Sequence, residues 1–102
     1  LSIRVRGRYL TVLVGPNREG HPRLGLVASR KLGDAVRRNR AKRLIREIFR
    51  RSDEARSGQG IDVVVIPRRE LFDAEYASLE ADFRLALRRS ASRVPPVPHA
   101  PR

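Results

Sequence analysis

The chain has 102 residues, enough for one small domain built around one hydrophobic core. Its 23 Lys and Arg against 11 Asp and Glu give a formal net charge of +12, which attracts polyanions and points first to nucleic acid. No cysteine is present, which excludes disulfides, thiolate catalysis and cysteine-based zinc sites. No apolar run approaches the roughly 20 residues that a membrane-spanning helix needs.

The first third of the chain is rich in β-forming residues and predicts three strands. Residues 3–14 form two extended segments separated by a turn at Gly7 and Arg8, and residues 23–29 form a third after a loop rich in Gly, Pro and Asn. We expect these three segments to pair as an antiparallel meander.

The remainder predicts a helix, a strand and a second helix. Residues 36–51 form a helix with a core-facing stripe of Ala41, Leu44, Ile45, Ile48 and Phe49. Residues 61–66 are the most apolar strand, expected to be buried on both faces and parallel to a neighbour. Asp73 is expected to cap a last helix over residues 74–90, whose buried stripe is Tyr76, Leu79, Phe83 and Leu87.

This order of elements predicts one α/β (α+β) two-layer sandwich with about four strands. The domain would occupy residues 1–93. The proline-rich residues 94–102 would be a disordered tail.

The first helix and its approach carry most of the charge. Residues 23–51 contain eleven Lys and Arg against only Asp34 and Glu47, a net charge of +9. Arg38, Lys42 and Arg46 follow at intervals of four, a spacing at which like charges destabilise an isolated helix. A ridge of charges of one sign indicates a surface that a polyanion neutralises, more than a surface that is merely solvated. The binding of that polyanion should weaken as the salt concentration rises. Asn39 lies beside the ridge, where a polar contact to RNA and a capping role both remain open.

Residues 23–47, RLGLVASRKLGDAVRRNRAKRLIRE, resemble the signature of the bacterial ribonuclease P protein family. The family pattern is a strand ending in Ser-Lys-Lys, then Gly-x-Ala-Val-x-Arg-Asn-Arg, then Lys-Arg and a further Arg on the helix. The resemblance implies a subunit that binds the catalytic RNA and the 5′ leader of precursor tRNA and assists the RNA-catalysed removal of that leader. It also implies a left-handed strand–helix–strand crossover, an exception to the usual right-handed rule.

The resemblance further implies which residues bind RNA. Arg38, Asn39, Arg40 and Arg43 match positions that contact the catalytic RNA, Lys42 and Arg46 match positions beside the leader cleft, and Arg30 and Lys31 match a basic pair after the third strand. Tyr9 matches the cleft-lining sheet, where stacking on a base and core packing are both open. The predicted RNA-binding set is Tyr9, Arg30, Lys31, Arg37, Arg38, Asn39, Arg40, Lys42, Arg43 and Arg46.

Family members also carry a basic stretch and an aromatic helix ahead of the first strand, and this sequence starts after that position. The resemblance implies no catalytic residue and no cofactor on the protein, Mg²⁺ held with the RNA subunit, no membrane, no obligate protein partner and a cytoplasmic location. The residues themselves also indicate that the protein has no active site of its own, because His21 and His99 lack plausible metal partners and the carboxylates are scattered along the chain.

Three alternatives remain from composition alone. A basic ribosomal or ribosome-assembly protein would share the charge and the order of elements. A DNA-binding module would insert the basic helix into a major groove, which calls for base-reading side chains. A membrane-surface helix is disfavoured, because the apolar stripe is needed for the core.

Overall fold

A computed structural model of the protein describes residues 2–95, in which two long helices pack against one face of a four-stranded sheet. The strands are β1 (Ile3–Arg6), β2 (Leu10–Pro16), β3 (Arg23–Leu26) and β4 (Ile61–Pro67). The helices are α1 (Ala35–Arg50), the short α2 (Asp53–Arg56) and α3 (Tyr76–Ala91), with 3₁₀ turns at Arg30–Leu32 and Arg69–Asp73. The predicted two-layer sandwich is confirmed. Residues 96–102 of the predicted tail lie outside the described residues, whereas Val94, predicted as the first residue of that tail, is 7% exposed and belongs to the core cluster.

The strand order is β1-β2-β4-β3, so the predicted meander of the first three strands is wrong. β2 pairs with β1 and β4 in antiparallel fashion, whereas β3 lies at the far edge, parallel to β4. The two seven-residue strands take the centre because they pair along their whole length. The parallel pair is possible because α1 carries the chain from the end of β3 back to the start of β4. The parallel neighbour expected for β4 is thereby confirmed, and the handedness of the crossover stays a prediction.

Burial in β4 alternates instead of covering both faces. Ile61, Val63 and Val65 are fully buried, and the intervening side chains are half-exposed. The expectation of two buried faces is therefore wrong, because both long helices lie on the same side of the sheet. The other side, termed the open face, carries no helix within residues 2–95.

α3 covers the sheet with the predicted stripe, apart from its first member. Leu79, Phe83 and Leu87 are buried against β1 and β2. The helix begins at Tyr76 instead of Ala74, because Ala74 and Glu75 have extended backbones with ψ of 141° and 149°. Tyr76 is 38% exposed, and the N-cap is Glu75, so the predicted burial of Tyr76 and the predicted cap at Asp73 are both wrong.

α3 is tied to the β1–β2 turn through Asp82. Its carboxylate accepts hydrogen bonds from the backbone N–H groups of Arg8, at 2.8 Å, and Tyr9, at 2.9 Å. Gly7 permits this approach, since a Cβ at that position would lie 2.7 Å from Asp82 Oδ2. The contact fixes the start of β2 over the helix and holds Tyr9 at 8% exposure.

α1 presents its apolar stripe to the core, as predicted. Ala41, Ile45 and Ile48 are fully buried, and Leu44 and Phe49 pack against the core cluster. The helix is capped by Asp34, whose side chain accepts a hydrogen bond from the N–H of Arg37 at 2.9 Å. Because Asp34 caps the helix, the capping alternative for Asn39 is wrong. Because the apolar stripe is buried in the core, it is not available to a membrane surface.

Candidate nucleic-acid interface

Burial of the apolar stripe turns the opposite side of α1, termed the outer face, toward solvent. A shallow cavity of about 510 Å³ runs along it, lined by Asn39, Lys42, Arg43, Arg46, Glu47 and Arg50. The carboxylate of Glu47 already pairs with Arg51, one helical turn away, at 3.2 Å. Four cations therefore share the outer face with one carboxylate that is already paired.

The cations of this surface have no acidic partner in the described part of the chain. None of the three ion pairs found among residues 2–95 includes Lys42, Arg43 or Arg46. Arg38 lies one helical turn before Lys42 and is half-exposed. A continuous row of unpaired Lys and Arg is the arrangement that suits the phosphates of a nucleic-acid backbone.

Arg37 and Arg40 point away from the other predicted residues. They lie on the flank of α1 that faces the Arg69–Asp73 turn, in a second cavity of about 520 Å³ termed the flank cavity. Its lining comprises Val36, Arg37 and Arg40 from α1 and Arg69, Glu70, Phe72 and Asp73 from the turn. The structure thus divides those predicted residues that lie on α1 between two sides of the helix.

Arg37 is held in place within the flank cavity. Its guanidinium lies 5.5 Å from the centroid of the Phe72 ring, within cation–π distance. Gly33 has a φ of +139°, a region that favours glycine, and a Cβ there would lie 2.8 Å from Arg37 Cδ. The glycine before the helix therefore makes room for the side chain that covers Phe72.

A third basic group lies where β3 and β4 end. Lys31, Arg68 and Arg69 line a cavity of about 320 Å³ together with Leu32 and Ile66, among others. Arg30 lies next to it and is exposed. Sequence reasoning did not single out Arg68 and Arg69. The expected parallel pairing of the last strand could have indicated them, because parallel strands end at the same edge of a sheet and the residues that follow them lie close together.

Arg68 and Arg69 differ in how freely they present their charge. The Arg68 guanidinium donates a hydrogen bond to Thr11 Oγ1, at 2.8 Å, and another to the carbonyl of Gly7. Arg69 is exposed and lines both this cavity and the flank cavity. Arg68 is thus a structural link to β2, and Arg69 is the cation available to a ligand.

The open face of the sheet has an apolar centre and basic margins. Leu13, Val64 and Ile66 are half-buried there, and the register of β1 against β2 places Arg4 and Arg6 on the same face. Such a surface combines contact area for bases with charge for phosphates.

At one end of the open face, Asp62 joins β4 to β3 and to the preceding loop. It accepts two hydrogen bonds from Arg23, at 2.8 and 3.0 Å, and one from Asn17 Nδ2 at 2.8 Å. The hydrogen bonds from Arg23, and then from Asn17, lower the pKa of the Asp62 carboxyl below its ordinary value. Arg23 is thereby engaged within the protein.

Tyr9 belongs to the core cluster at the start of β2. It is 8% exposed, and the guanidinium of Arg8 lies 5.3 Å from its ring centroid. This burial supports the packing alternative over base stacking. Among residues 2–95, no three His, Asp or Glu side chains come together as a metal site would require, and no helix there is long and apolar enough to cross a bilayer.

Comparison with known proteins places these features in a family. The family model described as Ribonuclease P matches residues 2–91. The ribonuclease P protein component of Thermotoga petrophila is 46% identical over 67 residues, which cover 66% of this chain and 56% of the relative. That of Pseudomonas paraeruginosa is 44% identical over 81 residues, covering 78% of this chain and 58% of the relative.

Solved structures agree with the sequence matches. The RNase P protein from Thermotoga maritima superposes with a TM-score of 0.74 at 36% identity, covering 86% of this chain and 83% of that one. The Staphylococcus aureus RNase P protein gives a TM-score of 0.72 at 32% identity, covering 86% and 80%. The chain spans a little over half the length of the curated relatives it matches.

Proposed function

The chain belongs to the ribonuclease P protein family, and on that premise we propose that it acts as the protein subunit of a ribonuclease P. In this role it binds the catalytic RNA and precursor tRNA and assists removal of the 5′ leader in the cytoplasm. One observation carries the proposal: the exposed, unpaired cations of the outer face of α1 lie on the segment that bears the family motif.

The outer face is assigned to the catalytic RNA. Arg43 and Arg46 can each grip a phosphate through two parallel hydrogen bonds, and Lys42 adds a point charge between them. Asn39 contributes a carboxamide that both donates and accepts. Because these side chains project from one rigid helix held by a buried stripe, they can fix the register of the protein on the RNA.

The open face is assigned to the single-stranded leader of precursor tRNA. Its apolar centre of Leu13, Val64 and Ile66 would support bases, while Arg4 and Arg6 would neutralise phosphates. Unpaired bases have free faces and so can lie on such a surface without base-pair geometry.

Phosphodiester hydrolysis is assigned to the RNA subunit, which would hold Mg²⁺ as the metal that activates water and stabilises charge. The described residues offer no cluster of His, Asp and Glu side chains that fits a metal. The contribution of this chain is to neutralise phosphates that would otherwise repel each other as the two RNAs approach.

The proposal is tested by cleavage of a precursor tRNA with a bacterial ribonuclease P RNA at low Mg²⁺. Wild-type protein should stimulate cleavage, and Lys42→Glu/Arg43→Glu/Arg46→Glu, which reverses three cations of the outer face, should not. A matched control is Arg88→Glu/Arg89→Glu/Arg93→Glu, which changes the charge equally at exposed positions on and beyond the end of α3. Circular dichroism would establish that both triple variants fold.

Two results would contradict the proposal. Equal loss of stimulation in both triple variants would mean that bulk charge, not the outer face, binds the RNA. Salt-sensitive RNA binding by the wild type without any stimulation would favour the ribosomal or ribosome-assembly alternative.

A further inference from the structure

The flank cavity differs chemically from the outer face of α1. Its apolar surface comes from Phe72 and from Val36, which is 77% exposed. Three arginines and two carboxylates surround that surface, a net charge of +1, whereas the outer face has four cations and one carboxylate, a net charge of +3. Phosphate binding alone does not call for two acids, and because carboxylates accept hydrogen bonds, this lining suits a ligand that also offers hydrogen-bond donors.

Three charged side chains of the flank cavity have no polar partner within the part of the chain that the structure describes. Across residues 2–95, the carboxylates of Glu70 and Asp73 and the guanidinium of Arg69 take part in no ion pair or side-chain hydrogen bond. Opposite charges line one cavity and yet leave each other unpaired. Acceptors and donors both remain available to a molecule that brings the complementary groups.

The wall of the cavity provides a stacking surface. The Arg37 guanidinium lies 5.5 Å from the centroid of the Phe72 ring, and a planar guanidinium beside an aromatic ring offers a flat surface on which a nucleobase can stack. Arg40 and Phe72 also line a smaller adjoining cavity of about 80 Å³, where Tyr76 is 38% exposed. The two cavities therefore connect Phe72 with Tyr76, and Arg40 lines both of them.

We infer that the flank cavity binds an unpaired guanine of RNA. The base would stack at Arg37 and Phe72. A carboxylate of Glu70 or Asp73 would accept hydrogen bonds from the N1–H and N2–H groups of the base. Guanine is the only one of the four bases that presents these two donors side by side. Arg69 and Arg40 would hold the flanking phosphates. The inference rests on the proposed function in requiring an RNA partner, and it adds a base-reading site to a surface otherwise suited to backbone contact.

The test measures base preference with short RNAs of equal charge. The pentaribonucleotides UUGUU, UUIUU (I, inosine) and UUCUU are titrated against the full chain at one salt concentration, with fluorescence anisotropy as the readout. The wild type should bind UUGUU roughly tenfold more tightly than UUCUU, as a two-bond base contact predicts. UUIUU, which lacks the N2 amine, should lie between them.

Three variants assign the preference to the cavity. Glu70→Gln/Asp73→Asn preserves side-chain shape and should reduce the guanine preference to about twofold or less, even though its higher net charge strengthens binding in general. Phe72→Leu keeps an apolar side chain and should weaken binding of UUGUU by losing the stack. Arg43→Gln, on the outer face, should weaken all three RNAs by one factor and leave their ratio unchanged.

Equal affinities of the wild type for UUGUU and UUCUU would overturn the inference, and so would a guanine preference that persists in Glu70→Gln/Asp73→Asn. Cleavage stimulation of a ribonuclease P RNA, measured on the same preparations, separates the two proposals. Stimulation without base preference refutes this site only, and absence of stimulation refutes the proposed function whatever the preference.

Discussion

Neutralising Arg43 should lower RNA affinity in a way that depends on salt. Arg43 is exposed in the middle of the outer face of α1, with Asn39 and Glu47 one helical turn to either side. Its charge is not shared with any acid in the described residues, so Arg43→Gln removes one phosphate contact without leaving an unpaired carboxylate. The substitution is on the solvent side of a helix whose opposite stripe is buried, so folding should be unchanged.

The magnitude follows from counterion release. Each neutralised phosphate changes the slope of log K against log salt by about 0.9, so the slope for Arg43→Gln should be shallower than that of the wild type by about that amount. This difference in slope corresponds to a loss of about eightfold in affinity at 0.1 M salt and of about threefold at 0.3 M salt. The affinities of the variant and the wild type should converge near 1 M salt.

The assay is equilibrium binding to a bacterial ribonuclease P RNA across a salt series. Arg89→Gln serves as the control, because it changes the net charge equally at an exposed position on α3. Arg89→Gln should leave the slope close to that of the wild type. If the two variants reduce the slope by the same amount, the RNA responds to total charge, and the assignment of the outer face is refuted.

Three further changes test the framework that positions these surfaces. Asp34→Ala should destabilise the protein by about 1 kcal/mol in urea titration through loss of the α1 cap, and an unchanged midpoint would contradict that role. Phe83→Ala should cost about 3 to 5 kcal/mol because the side chain is fully buried; a cost under about 1 kcal/mol would mean that the core is not packed as described. Asp62→Asn should cost at most about 1 kcal/mol near neutral pH, since the pair with Arg23 is half-exposed. Because the pKa of Asp62 is lower in the folded state, its contribution is present above the unfolded-state pKa and is lost as the pH falls through the folded-state pKa, so wild type and variant should converge in acid. A difference that grows toward low pH would refute this linkage.

The local sequence pattern was sufficient to predict the order of helices and strands and the basic surface of α1. The spacing of Ala41, Ile45 and Ile48 placed the buried stripe of α1 correctly, because a helix repeats every 3.6 residues whatever it packs against. The motif within residues 23–47 likewise identified the family, which the match over residues 2–91 confirms.

The start of α3 was misplaced for a local reason. An aspartate ahead of an apolar stripe is a common cap, but residues 69–73 form a 3₁₀ turn that ends at Asp73, and two extended residues follow before Tyr76. Nothing in the apolar spacing distinguishes a helix that starts at residue 74 from one that starts two residues later. Tyr76 is consequently 38% exposed, in the smaller cavity that adjoins the flank cavity.

The sequence by itself determined the charge, the apolar stripes, the order of elements and the family, because each depends on residues close together in the chain. Tertiary structure alone decided that β3 lies at the far edge beside β4, that one face of the sheet stays open, and that Arg37 and Arg40 share a cavity with Glu70 and Phe72. These features join residues tens of positions apart, and strand pairing and side-chain packing across such separations follow from the whole core rather than from any local pattern.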